Sequence, residues 1–238
     1  MLSRHGARDL TSSKTTTYNA TVQRIHDSVT EYSEEYAFIK DYEYTLGADQ
    51  LTVFGQQEMI NAGYKFYQRY LALTGNNMPF LRFSDQDRVV ESAQNWTQGS
   101  QQALLEQIPE TTISLPYSIL LLPEEPGNNT LNHDLCKAFE DGTANEIEKS
   151  AQTIWMNIFT PNITARINEN LPGANFTNDD TIEFMDLCPY NTVAEDEGTV
   201  SPFCNLFTAD EWQSYGYYQT LGKYYGYGRG GEGQDSGQ

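Results

Sequence analysis

The 238-residue sequence contains no apolar run approaching the roughly 18 residues that a bilayer-spanning helix needs, and its mean hydropathy is −0.60. A transmembrane protein is therefore excluded, and no membrane partner is expected. Positive charge is scarce: 14 Lys and Arg face 33 Asp and Glu, giving a net charge of −19 and a pI near 4.3. Polyanions are repelled at long range, so nucleic acid is not an expected partner. There are three histidines, and the three cysteines (Cys136, Cys188 and Cys204) lack CxxC spacing, so no zinc site is expected and one thiol is left over. No internal repeat is present. No apolar leader follows Met1, because a charged motif begins within two residues. Either the chain is cytosolic or its natural N-terminus has been removed.

What is abundant is aromatic: 13% of residues, including 16 Tyr, which is ample packing material for a folded domain. Five N-x-[ST] sequons, at Asn19, Asn95, Asn128, Asn162 and Asn175, exceed the roughly 2.6 that chance would give and favour secretion into the extracellular space. Val22, Ile25, Val29, Tyr32, Tyr36 and Ile39 recur at three- and four-residue steps and predict one helix of about five turns. Thr52 is placed to cap a second helix with an apolar stripe of Met59, Ile60, Gly63, Phe66, Tyr67 and Tyr70. Residues 79–83 (PFLRF) predict a strand, Val89, Ala93, Trp96 and Ala103 a third helix, and residues 119–122 (ILLL) a buried strand. This alternation predicts an α/β fold with parallel strands. Helical patterns at 134–141, 145–158, 162–171, 178–187 and 208–225, broken at Pro161 and at Pro172-Gly173, predict an α-rich region. The expected organisation is a partial α/β domain over 1–126, a helical cap over 127–227 and a flexible Gly-rich tail over 228–238.

The chemistry is concentrated at Arg4-His5-Gly6-Ala7-Arg8. Guanidinium groups match phosphate oxygens with a planar fork of donors and stay charged at any relevant pH, so Arg4 and Arg8 can hold a tetrahedral anion. His5 lies between them, where neighbouring cations disfavour imidazolium and keep it a neutral nucleophile for phosphorus. The glycine allows the backbone to approach a ligand closely. Arg-rich pentamers commonly sit on a solvated surface, but the pattern R-H-G-x-R arises by chance on the order of once in a thousand chains of this length.

With this motif, the sequence resembles the histidine acid phosphatases and, within them, the fungal phytases. The signature R-H-G-x-R-x-P stands here as residues 4–10, with Leu10 in place of proline, a change that could loosen the following turn. Further similarity lies in YAFIKDYEYTLGADQLTVFG (36–55), GYKFYQRY (63–70), FMDLCPYNT (184–192), SPFCNLFTADEW (201–212) and KYYGYG (223–228), so it covers nearly the whole chain. The resemblance implies a phosphoglycerate-mutase-like α/β sandwich with a helical cap. It implies a monomeric hydrolase of phytate that forms a phosphohistidine in acid and needs no metal or cofactor. His5 takes the position of the phosphate acceptor, Arg4 and Arg8 those of the clamp, and Arg88 that of a third arginine at a helix start, where the helix dipole adds to the site. Arg82 competes for that role but falls in the strand. Thr11 and Lys223 match positions that touch the inositol phosphates. Cys188 and Cys204 match a disulfide, and Cys136 matches a cysteine paired elsewhere. His26 and His133 match nothing catalytic.

Two elements of the family pattern are missing: most of the strand before the signature, and a C-terminal His-Asp pair whose aspartate protonates the leaving alkoxide. No histidine follows Lys223. The sequence therefore reads as a fragment of a longer phytase. Phytate is itself strongly anionic, so with screening of distant carboxylates over about 10 Å at 0.1 M salt, the arginines must act at contact and acid should favour binding. Thr17 and Gly222 stand where phytases often carry basic residues, which keeps a broad acid phosphatase open as an alternative. A non-catalytic phosphate-binding glycoprotein is the alternative of a different class.

Overall fold

The computed structural model describes residues 2–74, 79–107, 118–124, 144–195 and 198–226. Two compact units are built from interleaved segments: Met1–Leu10, Gly47–Asn132 and Val193–Thr199 form one, and Thr11–Leu46, His133–Thr192 and Val200–Gln238 the other. The expected boundary near residue 126, the helical pattern at 134–141, Asn128, His133, Cys136 and the tail over 228–238 lie outside the described residues.

In the first unit, helix α2 (Val53–Arg69) starts at Thr52, whose hydroxyl accepts from Gly55 N–H at 3.0 Å, as the sequence predicted. Of its predicted stripe, Met59, Gly63 and Tyr67 are buried, Ile60 and Phe66 half-buried, and Tyr70 exposed. A one-turn helix α3 (Leu71–Thr74) follows. Strands β1 (Phe80–Ser84) and β2 (Ser118–Leu122) pair in parallel, with Phe80 opposite Ser118 and Ser84 opposite Leu122. Between them in sequence, α4 (Asp87–Gln107) buries Ser92, Trp96, Gly99, Ser100, Ala103 and Leu104 on one face. Two glycines set how closely α2 and α4 approach: a Cβ on Gly63 would collide with the Trp96 carbonyl, and one on Gly99 with that of Ile60. The run at 119–122 is a strand, but Ile119, Leu120 and Leu121 are 57%, 45% and 43% exposed. An uninterrupted apolar strand is normally covered on both faces. Among the described residues β1 is the one strand paired with it, so the expected burial is not observed.

The second unit is helical. Helix α1 (Ser12–Ser28) buries Tyr18, Thr21, Val22 and Ile25. The single long helix expected through Ile39 instead breaks at Val29, which is extended (φ −92°, ψ 122°), and the chain resumes as a 3₁₀ helix over Glu34–Asp41 that buries Tyr36 and Ile39. A 3₁₀ turn also stacks residues three apart, so the same spacing fitted both geometries. His26 sits at the junction, its Nε2 donating to the Ile39 carbonyl at 2.8 Å.

Helix α5 (Ala144–Asn170) runs through Pro161, where a break was expected. Met156, Thr160, Ile163, Ile167 and Leu171 are buried on one face at spacings of four, three, four and four residues, while Pro161 itself is exposed. Packing on both sides of the proline holds the axis against a local cost of about 3 kcal/mol. The break at Pro172-Gly173 is observed, with Gly173 at φ 103°. Helix α6 (Asn178–Ala194) and helix α7 (Ala209–Gly226) follow, with a 3₁₀ turn at Pro202–Leu206 between them. Phe184 packs edge-on against Phe176, Phe203 and Phe207, and the Cys188–Cys204 disulfide ties α6 to that turn.

Candidate active site

The signature segment is irregular and is held by hydrogen bonds in place of regular structure. Thr52 N–H donates to the Ala7 carbonyl at 3.0 Å, Asp9 N–H to Gln50 at 2.9 Å, and Asp49 N–H to Leu10 at 2.7 Å. Residues 7–10 are thereby fastened to the entry of α2. Leu10, where the family signature has proline, is fully buried, so side-chain burial and the Asp49 bond anchor the turn that a proline would stiffen. Gly6 is required for contact within the chain: a Cβ there would collide with the Gly55 carbonyl, and one on Gly55 with that of Ala7.

Two further bonds were not foreseen from the sequence. Gly6 N–H donates to Ser92 Oγ at 3.2 Å, and Ala7 N–H to Glu58 Oε2 at 2.8 Å. Ser92 Oγ in turn donates to the Arg88 carbonyl at 2.6 Å, in the first turn of α4. Both N–H groups are thus engaged within the chain. A serine at the start of a helix and a glutamate near the start of another look like surface residues in sequence, and only the fold brings them to the signature.

His5 is half-buried, with Nδ1 2.7 Å from the Gly6 carbonyl. A carbonyl can only accept, so Nδ1 carries the proton and Nε2 keeps its lone pair. Burial lowers the His5 pKa from its ordinary value, the Gly6 bond opposes that shift, and the charges of Arg4, Arg8 and Arg88 lower it further. The structure therefore brings together four of the residues singled out in sequence. Arg4 is exposed, and Arg8 is half-buried with Nη1 donating to the Asp9 carbonyl at 2.6 Å. Arg88 stands one residue into α4, with its Nε buried and lacking a hydrogen-bond partner among the described residues. A cleft of about 210 Å³ opens beside Arg4, His5 and Ser92, with Phe66, Trp96 and Arg82 among its walls. Arg82 is exposed on β1.

Thr11 and Lys223 belong to the second unit. Thr11 is the N-cap of α1, accepting from Lys14 N–H at 3.4 Å, and Lys223 is exposed in the last turn of α7. That unit has its own cleft of about 340 Å³, whose walls include Lys14, Thr17 and Asp186. Asp186 is 3% exposed; it accepts from Tyr18 and Tyr215, and Lys14 Nζ lies 3.6 Å away. Burial, then the Asp186 charge, pushes the Tyr18 and Tyr215 phenols well above their ordinary range. Among the sequons, Asn19, Asn162 and Asn175 are exposed, and Asn95 is half-buried with Nδ2 donating to Glu91. Among the described residues, no three His, Cys, Asp or Glu side chains gather as a metal site, and no helix is long and apolar enough to cross a membrane.

The sequence is 45% identical over 233 residues to "Phytase A" of Aspergillus fumigatus and 44% identical over 234 residues to "Phytase A" of Penicillium oxalicum. Each alignment takes in 97% of this chain and 50% of the relative, so the chain spans about half the length of the curated relatives it matches. The crystal structure of the phytase from D. castellii superposes with a TM-score of 0.77 over 95% of this chain and 50% of that one, at 21% identity, which is a likeness of fold. Residues 1–235 match the histidine phosphatase superfamily, branch 2, a span that contains the arginine-flanked histidine. The chain belongs to that family.

Proposed function

We propose that this chain carries the phosphate-accepting site of a secreted, monomeric phosphomonoester hydrolase that acts on phytate in acid through a phosphohistidine on His5. The observation that carries the reading is the His5 Nδ1–H bond to Gly6, which leaves Nε2 free within the field of Arg4, Arg8 and Arg88. Nε2 attacks phosphorus, the ester P–O bond breaks, and the alkoxide leaves with a proton from a general acid. Water then attacks the phosphohistidine, releasing phosphate and restoring neutral His5. The buried Arg88 Nε, with its proton unspent, suits an oxygen of the transferring group, and Arg4 and Arg8 supply the remaining charge. The family resemblance assigns Thr11 and Lys223 to contacts with inositol phosphates. The matches to proteins named Phytase A support phytate as that substrate.

Alkaline quenching after brief exposure to ³²P-labelled phosphomonoester, which preserves the acid-labile P–N bond, should leave label on His5, with none on a His5→Ala variant. A chain that binds phosphate without labelling would be a binding protein and would overturn the reading. Thr17 and Gly222, in place of basic residues, favour a second reading as a broad acid phosphatase. Comparable kcat/KM for phytate and a simple aryl phosphate would decide for it.

A further inference from the structure

The free Nε2 of His5 depends on one carbonyl staying where it is, and that carbonyl belongs to glycine, the residue with the widest backbone freedom. Gly6 sits between two peptide planes. The plane before it ends in Gly6 N–H, which Ser92 Oγ accepts; the plane after it joins the Gly6 carbonyl to Ala7 N–H, which Glu58 Oε2 accepts. The second plane thus links a carboxylate to the imidazole through a peptide group: Glu58 takes its N–H, and its carbonyl takes His5 Nδ1–H. A charged acceptor on the N–H polarises the group and strengthens its carbonyl as an acceptor. Ser92 is 3% exposed and passes its own proton to the Arg88 carbonyl, so the first plane is also tied to the third arginine.

We propose that Glu58 and Ser92 are positioning residues for His5, fixing the two peptide planes around Gly6 so that the imidazole keeps its proton on Nδ1 and presents Nε2 beside Arg88. The proposal rests on the reading of His5 as nucleophile, but its test does not use turnover.

The chain has three histidines, so ¹⁵N-histidine labelling yields few ring signals, and loss of a set in His5→Gln assigns His5. In the wild type the His5 Nδ1 signal should be that of a protonated nitrogen and Nε2 that of a bare one. Ser92→Ala and Glu58→Ala should each mix the tautomers and weaken binding of inorganic orthovanadate, Ser92→Ala roughly tenfold, the scale of one lost buried hydrogen bond, and Glu58→Ala, whose bond is exposed, by less. Ser92→Thr and Glu58→Gln, which keep an acceptor oxygen, should restore the Nδ1–H form, with Glu58→Gln recovering less vanadate affinity because its charge is gone. Ser100→Ala, which removes a buried hydroxyl on the same face of α4 that has no hydrogen-bond partner among the described residues, should leave His5 unchanged. Glu58 is exposed, so its variants report even where Ser92→Ala lowers the melting temperature. A bare Nδ1 in the wild type, or unchanged His5 signals in folded Ser92→Ala and Glu58→Ala, would refute the proposal. A clamp that behaves as described in a chain that never forms phosphohistidine would sink the proposed function and leave this inference standing.

Discussion

At the scale of single residues, the site separates groups that share a residue type. Arg88 and Arg82 are six positions apart, yet Arg88 acts on His5 from the first turn of α4, whereas Arg82 stands exposed on β1 in the wall of the cleft. Removing one charge-assisted donor from a transferring phosphoryl group costs about 3 to 4 kcal/mol, so Arg88→Ala should lower kcat/KM by roughly 10²- to 10³-fold. Arg82→Ala should cost far less, and equal losses would overturn the assignment. His5 also sets a pH dependence. Because its pKa is lowered in the folded state, the unfolded chain binds more protons from its ordinary value of 6.5 down to the folded value. Stability therefore falls with pH across that window, whereas the neutral nucleophile survives further into acid than a free histidine would. A histidine NMR titration checks this, and a His5 midpoint at or above 6.5 would contradict it. His5, Arg4 and Arg8 were legible in the sequence because they are contiguous, and Arg88 through the family resemblance. Ser92 and Glu58 were not, since they act through backbone groups that have no sequence signature.

At the scale of elements, helix starts were easier to place than the points where helices stop. Helices α6 and α7 begin with the same device: Thr177 and Asp180, and Thr208 and Glu211, exchange side-chain and backbone bonds three residues apart. Each acid also meets an arginine from another helix, Asp180 with Arg24 at 2.6 Å and Glu211 with Arg166 at 2.9 Å. For Asp180, burial works to raise the pKa, but the Thr177 bonds and Arg24 outweigh it and the net shift is downward. A lowered carboxyl contributes stability that is complete above its unfolded value and is lost as pH falls through the folded one. Asp180→Asn should therefore destabilise by about 1 kcal/mol near pH 6, and the difference from wild type should narrow toward pH 3. Denaturant unfolding at the two pH values measures it, and a gap that widens in acid would refute it. Stops were misread where one spacing serves two geometries, as at Val29, or where tertiary packing overrides a local breaker, as at Pro161. Strand β2 was recognised from its composition, but whether it is covered depends on partners that a four-residue run does not specify.

At the scale of the whole molecule, a chain of net charge −19 carries the proposed anion site, so attraction must come from the few cations at contact. The sequence displayed that conflict but not its spatial resolution, which the fold supplies by gathering Arg4, Arg8 and Arg88 around one half-buried histidine. The same scale decides which sequons can carry sugar. A glycan is tolerated where the asparagine amide faces water, because the bulky polar chain cannot be packed. Asn19 and Asn162 are exposed on α1 and α5, and Asn175 is exposed at φ 51° with Nδ2 donating to Gly173 and its second amide proton available for the linkage. Asn95 is half-buried on α4, with one amide proton donated to the Glu91 carbonyl one turn away and Trp96 buried beside it. Any chain glycosylated there before folding would meet a packed surface at that position and be selected against. Expressed with a secretion leader in a glycosylating host and folded, the chain should be occupied at Asn19, Asn162 and Asn175 and bare at Asn95. Site-by-site mass spectrometry after enzymatic deglycosylation in heavy-oxygen water reads each position separately. Substantial occupancy at Asn95, or none at Asn175, would show that exposure in the folded chain does not govern where the sugars are kept.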